Sequence, residues 1–145
     1  DQEIEGREVS VEGLRELQER YFGNEEIALA YAQGLANLTA KQELEEVKTT
    51  MGRLWELQER YYGNEEIAHA YARGLFNLSC DQKVEEAQVT VERLRELQER
   101  YCGNEEIALW YAQGLFNLSG NQDVEEGEAS VERIKELQER CSGSE

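Results

Sequence analysis

Proline is absent from the 145 residues, histidine and methionine occur once each, and cysteine three times. Without proline the turns must rest on other residues, and Gly23-Asn24, Gly63-Asn64 and Gly103-Asn104 are the candidates. Glycine suits the left-handed position past a helix C-terminus, and asparagine suits the N-cap of the helix that follows. Cys80, Cys102 and Cys141 are odd in number and none stands in a Cys-x-x-Cys pair. They suggest neither a disulfide framework nor a zinc site, and three free thiols in a reducing compartment are expected. Lysine and arginine total 15 against 32 aspartates and glutamates, a formal net charge of -17 without any basic run. That balance argues against nucleic acid and against an anionic membrane, since both select clustered cations. No apolar run approaches the roughly 20 residues that span a bilayer. The acidic start Asp1-Gln2-Glu3 also lacks the charged and apolar regions of a signal peptide. A cytoplasmic protein with a neutral to basic protein or peptide partner is the expectation.

What is present is repetition. Leu14 to Arg20 returns as Leu54 to Arg60, Leu94 to Arg100 and Ile134 to Arg140, an offset of 40 residues each time (54 - 14, 94 - 54, 134 - 94). Gly23 to Leu38 returns likewise at Gly63 to Leu78 and Gly103 to Leu118. A fixed period of this size marks an array in which each unit buries its apolar face against its neighbours. Residues 1–21 align with 81–101, so the chain is expected to open on a half repeat, a lone second helix (helix B). Full repeats are expected at 22–61, 62–101 and 102–141, followed by a truncated tail at 142–145. Each first helix (helix A) shows a 3.6-residue apolar period, as in Ile27, Ala28, Tyr31, Ala32, Leu35 and Leu38. No segment alternates strictly with period two, so strands are not expected. The expected fold is all-α: seven helices forming an α-α superhelix, with helices A starting near Glu25, Asn64 and Asn104 and the last helix B near Asn121. In the N-terminal helix Val9, Leu14, Leu17 and Tyr21 fall largely on one stripe, which an internal repeat would bury.

The words Glu-Ile-Ala-x-x-Tyr-Ala-x-Gly-Leu and Leu-x-x-Leu-x-x-x-Tyr resemble the two helices of tetratricopeptide repeats over the whole chain. Ala28, Tyr31, Ala32 and Leu35 stand at that family's signature positions, as do Ala68, Tyr71, Ala72 and Leu75, and Ala108, Tyr111, Ala112 and Leu115. The 40-residue period is longer than the family's usual 34, and Phe22, Tyr62 and Cys102 occupy the place of its turn proline. HEAT and armadillo repeats are the alternative on period. The resemblance implies a right-handed superhelix whose helices A line a concave groove that holds peptides.

Differences among the copies show which positions of helix A accept change. Leu29, His69 and Leu109 vary, as do Ala30, Ala70 and Trp110, Gln33, Arg73 and Gln113, and Ala36, Phe76 and Phe116. They fall at i, i+1, i+4 and i+7, one stripe turned away from the core face, and by the resemblance this is the groove. Asn37, Asn77 and Asn117 never vary, which suits a repeated structural hydrogen bond or a clamp on peptide backbone. The expected groove residues are therefore Leu29, Gln33, Ala36, His69, Arg73, Phe76, Asn77, Leu109, Trp110, Gln113, Phe116 and Asn117. The groove lacks the lysine set that some tetratricopeptide domains use to hold a C-terminal carboxylate.

Chemistry is not expected. His69 and Cys80 lie about 16 Å apart along one helix at its usual rise, too far for a dyad. Paired acids such as Glu65-Glu66 suit the positive end of a helix dipole, and no metal or cofactor is implied. The alternative to a peptide-binding module is a structural spacer or an engineered repeat scaffold without a natural ligand. Apolar positions at both ends, Val9, Leu14 and Leu17 and then Val131, Ile134 and Leu137, suggest a homodimer or end-to-end stacking.

Overall fold

A computed structural model describes residues 2–121. Among the described residues there are six α-helices and no strand: α1 (Gln2–Arg20), α2 (Glu25–Thr39), α3 (Leu44–Arg60), α4 (Glu65–Asp81), α5 (Val84–Arg100) and α6 (Glu105–Asn121). The all-α expectation stands. The seventh expected helix, with Val131, Ile134, Leu137 and Cys141, lies outside the described residues.

The three Gly-Asn turns cap the following helices as expected, but only two of their glycines take the left-handed conformation, and Gly103 does not. Gly23 and Gly63 both adopt φ of 96°, a conformation that L side chains avoid. Asn24, Asn64 and Asn104 each accept a hydrogen bond from the backbone N–H three residues on, at 3.0, 3.0 and 2.9 Å. Paired glutamates occupy the first turn of α2, α4 and α6, where the helix dipole favours negative charge. The opposite turn is held otherwise: α3 and α5 have no side-chain cap, and Thr50 and Thr90 instead donate to Gln42 and Gln82 at 2.7 and 2.5 Å.

Helix contacts follow a simple rule. The A helices α2, α4 and α6 pack in sequence, while the backbones of the B helices α1, α3 and α5 pack on A helices and not on one another. The core lies between these two rows and holds Tyr31, Leu35, Leu54, Ile67, Tyr71, Leu75, Leu94, Ile107 and Leu115. Each A helix meets the preceding B helix at a glycine. A Cβ built on Gly34 would come within 3.1 Å of Val11, on Gly74 within 2.7 Å of Met51 and 2.9 Å of Leu54, and on Gly114 within 3.2 Å of Val91.

One expectation about α1 is corrected. Val9 points to solvent, as does Val89 at the same repeat position, and the buried residues are Val11 and Gln18, with Leu14 half-buried. Leu17 is 42% exposed although its counterpart Leu57 is 2% exposed. The reason is that α3 is sandwiched between α2 and α4, whereas among the described helices α1 touches α2 alone.

The cysteines require a second correction. Cys80 is a free, exposed thiol, but Cys102 is disulfide-bonded, its partner lying outside the described residues.

Two measurements check this packing. Gly74→Ala is expected to destabilise the fold by about 1 kcal/mol, because overpacking against Met51 and Leu54 outweighs the gain in helix propensity. Gly52→Ala, in open space at mid-helix, is expected to stabilise by about 0.5 to 1 kcal/mol. Denaturant midpoints of the two variants should move in opposite directions. Thiol titration of the unfolded, unreduced monomer is expected to find one free thiol of the three cysteines; a count of three would contradict the disulfide.

Candidate functional site

The expected groove stripe is largely the seam between neighbouring A helices. Phe76 of α4 and Trp110 of α6 pack against each other, ring centroids 5.2 Å apart. The Trp110 indole Nε1–H donates to His69 Nε2 at 2.9 Å, and Glu106 Oε2 lies 3.6 Å from the same nitrogen. At the same register in the first seam stand Ala36 and Ala70, and both are buried. Variation at these positions is therefore paired packing, small with small in one seam and aromatic with aromatic in the next. Ala36 is a core residue, which corrects its assignment to an open groove. Leu29, Phe76 and Trp110 are half-buried against the core, so they too are seam residues in part.

The invariant asparagines also serve the seam. Asn77 donates to Thr39 Oγ1 at 3.0 Å and Asn117 to Cys80 Sγ at 3.6 Å, each reaching back to the previous A helix. Arg73 reaches back in the same way to the Gln33 carbonyl, at 3.4 Å. What remains exposed of the twelve expected residues is Gln33, Leu109, Gln113, Phe116 and Asn117. Leu109 is 55% exposed and Phe116 74%, both on α6 beside the half-buried Phe76–Trp110 pair.

Further contacts recur every 40 residues at the turns. Gly23 N–H donates to the Tyr61 hydroxyl and Gly63 N–H to the Tyr101 hydroxyl, both at 3.1 Å. Asn64 donates to Glu25 and Asn104 to Glu65, at 3.0 and 3.1 Å. Arg60 covers the Phe22 ring and Arg100 the Tyr62 ring, at 4.7 and 5.0 Å. None of this was legible in a single helix, because every bond joins residues about 40 apart.

Because the backbones of the B helices do not pack together, a cleft opens between each successive pair among the described helices, bridged only by side chains. The one between α1 and α3 has a volume of about 480 Å³ and is lined by Arg15, Gln18, Tyr31, Arg53, Glu56 and Arg60 among others. The one between α3 and α5, about 630 Å³, is floored by Tyr71, Leu75 and Leu78 of α4 and walled by Trp55 and Arg93. Burial pushes the Tyr31 and Tyr71 hydroxyls above the ordinary tyrosine pKa, with Arg53 and Arg93 pulling them back. Sequence reasoning missed this side of the molecule. The signal was available: α3 carries Gly52 and Trp55 where α1 carries Glu12 and Arg15 and α5 carries Glu92 and Arg95.

Among the described residues no helix is long and apolar enough to cross a membrane. The disulfide at Cys102 removes the ground on which a reducing compartment was expected. No protein-family model, no curated protein and no solved structure matches the chain.

A double-mutant cycle tests the seam. Phe76→Ala and Trp110→Ala are expected to couple by about 0.5 to 1.5 kcal/mol, the range for aromatic pairs beyond simple burial. Additive losses in thermal denaturation would show that the two rings act separately.

Proposed function

We propose that the chain is a tetratricopeptide-like α-solenoid of 40-residue repeats that acts as a protein-interaction scaffold and not as an enzyme. The row α2, α4 and α6, with the same inter-repeat bonds recurring at each step, supports the solenoid reading. The docking face on the A row is the surface of α6 and its seam with α4: Leu109, Gln113 and Phe116 exposed, His69, Phe76 and Trp110 half-buried beside them. The observation that carries this is the exposure of Leu109 and Phe116 next to an aromatic pair, an apolar patch of the kind that solvent-facing helices seldom keep. Its ligand is a protein segment with apolar anchors and neutral to basic flanks, given the acidic first turn Glu105-Glu106 and the charge of -17.

A structural spacer without a ligand is the second reading, and the mutual packing of Phe76 with Trp110 favours it. One experiment separates the two. A random peptide library is selected on the folded protein, and the enriched peptides are measured by calorimetry against Leu109→Ser/Phe116→Ser. The interaction reading expects peptides whose affinity falls at least about tenfold, as loss of an apolar hot spot implies. No enrichment, or peptides indifferent to the double substitution, supports the spacer.

A further inference from the structure

The two clefts between B helices are built on the same repeat positions, and one is lined differently from the other. In the α1–α3 cleft, Arg53 of α3 reaches across to Glu12 of α1 at 3.8 Å, and Glu12 also holds Arg15. Gln18, buried at the cleft floor, has its Nε2 within 3.5 Å of the Tyr61 hydroxyl. Arg15, Gln18 and Arg53, which face that space, are each answered by another group from the chain.

The α3–α5 cleft repeats the frame and omits the answers. Arg93 is the counterpart of Arg53, but the position across from it is Gly52, so the carboxylate is missing. Among the described residues Arg93 has no ion pair; its guanidinium lies against the Tyr71 hydroxyl. The other cations of the cleft are committed: Arg100 faces Glu59 at 3.8 Å and Lys48 faces Glu45 at 3.4 Å. Glu96 also lines the cleft and has no ion pair with Arg93 among the described residues. In place of Arg15 stands Trp55, 48% exposed at the edge of the cleft, with open space over Gly52 beside it. Gln58, the counterpart of Gln18, is 2% exposed and its Nε2 has no hydrogen-bond partner. A buried amide donor left unmet is destabilising, and the Gln58 side chain borders the cleft, where turning outward would give it an acceptor.

We propose that this cleft is a binding site for an acidic peptide segment in which a carboxylate side chain adjoins an aromatic or aliphatic one. The carboxylate takes the place of the missing Glu12 counterpart and pairs with Arg93. The apolar side chain lies against Trp55, and the Gln58 carboxamide turns from its buried position to donate from Nε2 to a backbone carbonyl of the segment. The lining runs from Lys48 to Glu59 on α3 and from Val89 to Arg100 on α5, about 16 Å at the helical rise, room for about five extended residues. Its volume of about 630 Å³ lies within the usual range for ligand sites. The site is on the opposite row from the A-helix surface and does not rest on it.

The probe is a blocked pentapeptide centred on Phe-Glu, with the Phe-Gln peptide as its uncharged counterpart, titrated into the ¹⁵N-labelled full chain. The expected result is saturable shifts of the Trp55 indole and Gln58 carboxamide signals, with the Phe-Gln peptide binding about tenfold more weakly, the size of one charge-assisted hydrogen bond. The variant Gly52→Glu/Trp55→Arg installs the residues that α1 carries at these positions, and it should abolish the shifts while leaving the Trp110 indole signal in place. Should that variant unfold, Arg93→Gln serves instead, and it should erase the preference for the Phe-Glu peptide. Absence of shifts at Trp55 and Gln58, equal binding of the two peptides, or an unchanged preference in Arg93→Gln would overturn the proposal.

Discussion

Everything in this fold depends on how closely each A helix can approach the B helix before it. Gly34, Gly74 and Gly114 set that distance: with no Cβ, the A backbone settles onto Val11 and Leu14, Met51 and Leu54, and Val91 and Leu94. Mid-helix glycine costs about 1 kcal/mol against alanine in propensity, so its presence at the same place in each A helix implies a compensating gain in packing. From that approach the rest follows. Tyr31, Leu35 and their counterparts reach the core, and the turns come near enough for Tyr61 and Tyr101 to accept from the glycine N–H groups of the preceding turn. The A helices then lie side by side, and the B helices are spread apart.

Charge plays a smaller part in holding the chain together. Arg15 with Glu12 and Glu19, and Arg95 with Glu92 and Glu99, form i,i+3 and i,i+4 pairs on the outer surface. Such exposed pairs contribute little to stability and are screened by salt. Their interest lies in where they are interrupted. On α3 the same positions hold Gly52 and Trp55, so the outer row carries an exposed indole beside the larger of its clefts.

The period, the helices, their caps and most of the core were legible because each depends on local chemistry repeated at a fixed offset. Asn24 caps α2 because an asparagine precedes Glu-Glu, and Leu35 is buried because it belongs to an unbroken apolar face. A helical wheel fails where a helix has more than one neighbour. It gives the angle between Ala36 and the core face, but α2 is also covered by α4, so a position turned from the core still becomes buried. The same reasoning explains Leu17 and Leu57, at the same repeat position and opposite in exposure. The α3–α5 cleft escaped notice because comparison of copies was confined to helix A, while the informative departures stood on helix B.

The central claim is that the chain is a regular array with one 40-residue step, and distances between equivalent points test it most directly. Spin labels placed pairwise at the exposed sites Glu16, Glu56 and Glu96, through an unnatural amino acid that leaves the cysteines untouched, are read by double electron–electron resonance. A regular array requires the 16–56 and 56–96 distances to agree and the 16–96 distance to exceed both. Unequal steps, or a 16–96 distance shorter than either, would mean that the helices close into a bundle and that the repeat in the sequence is not a repeat in space.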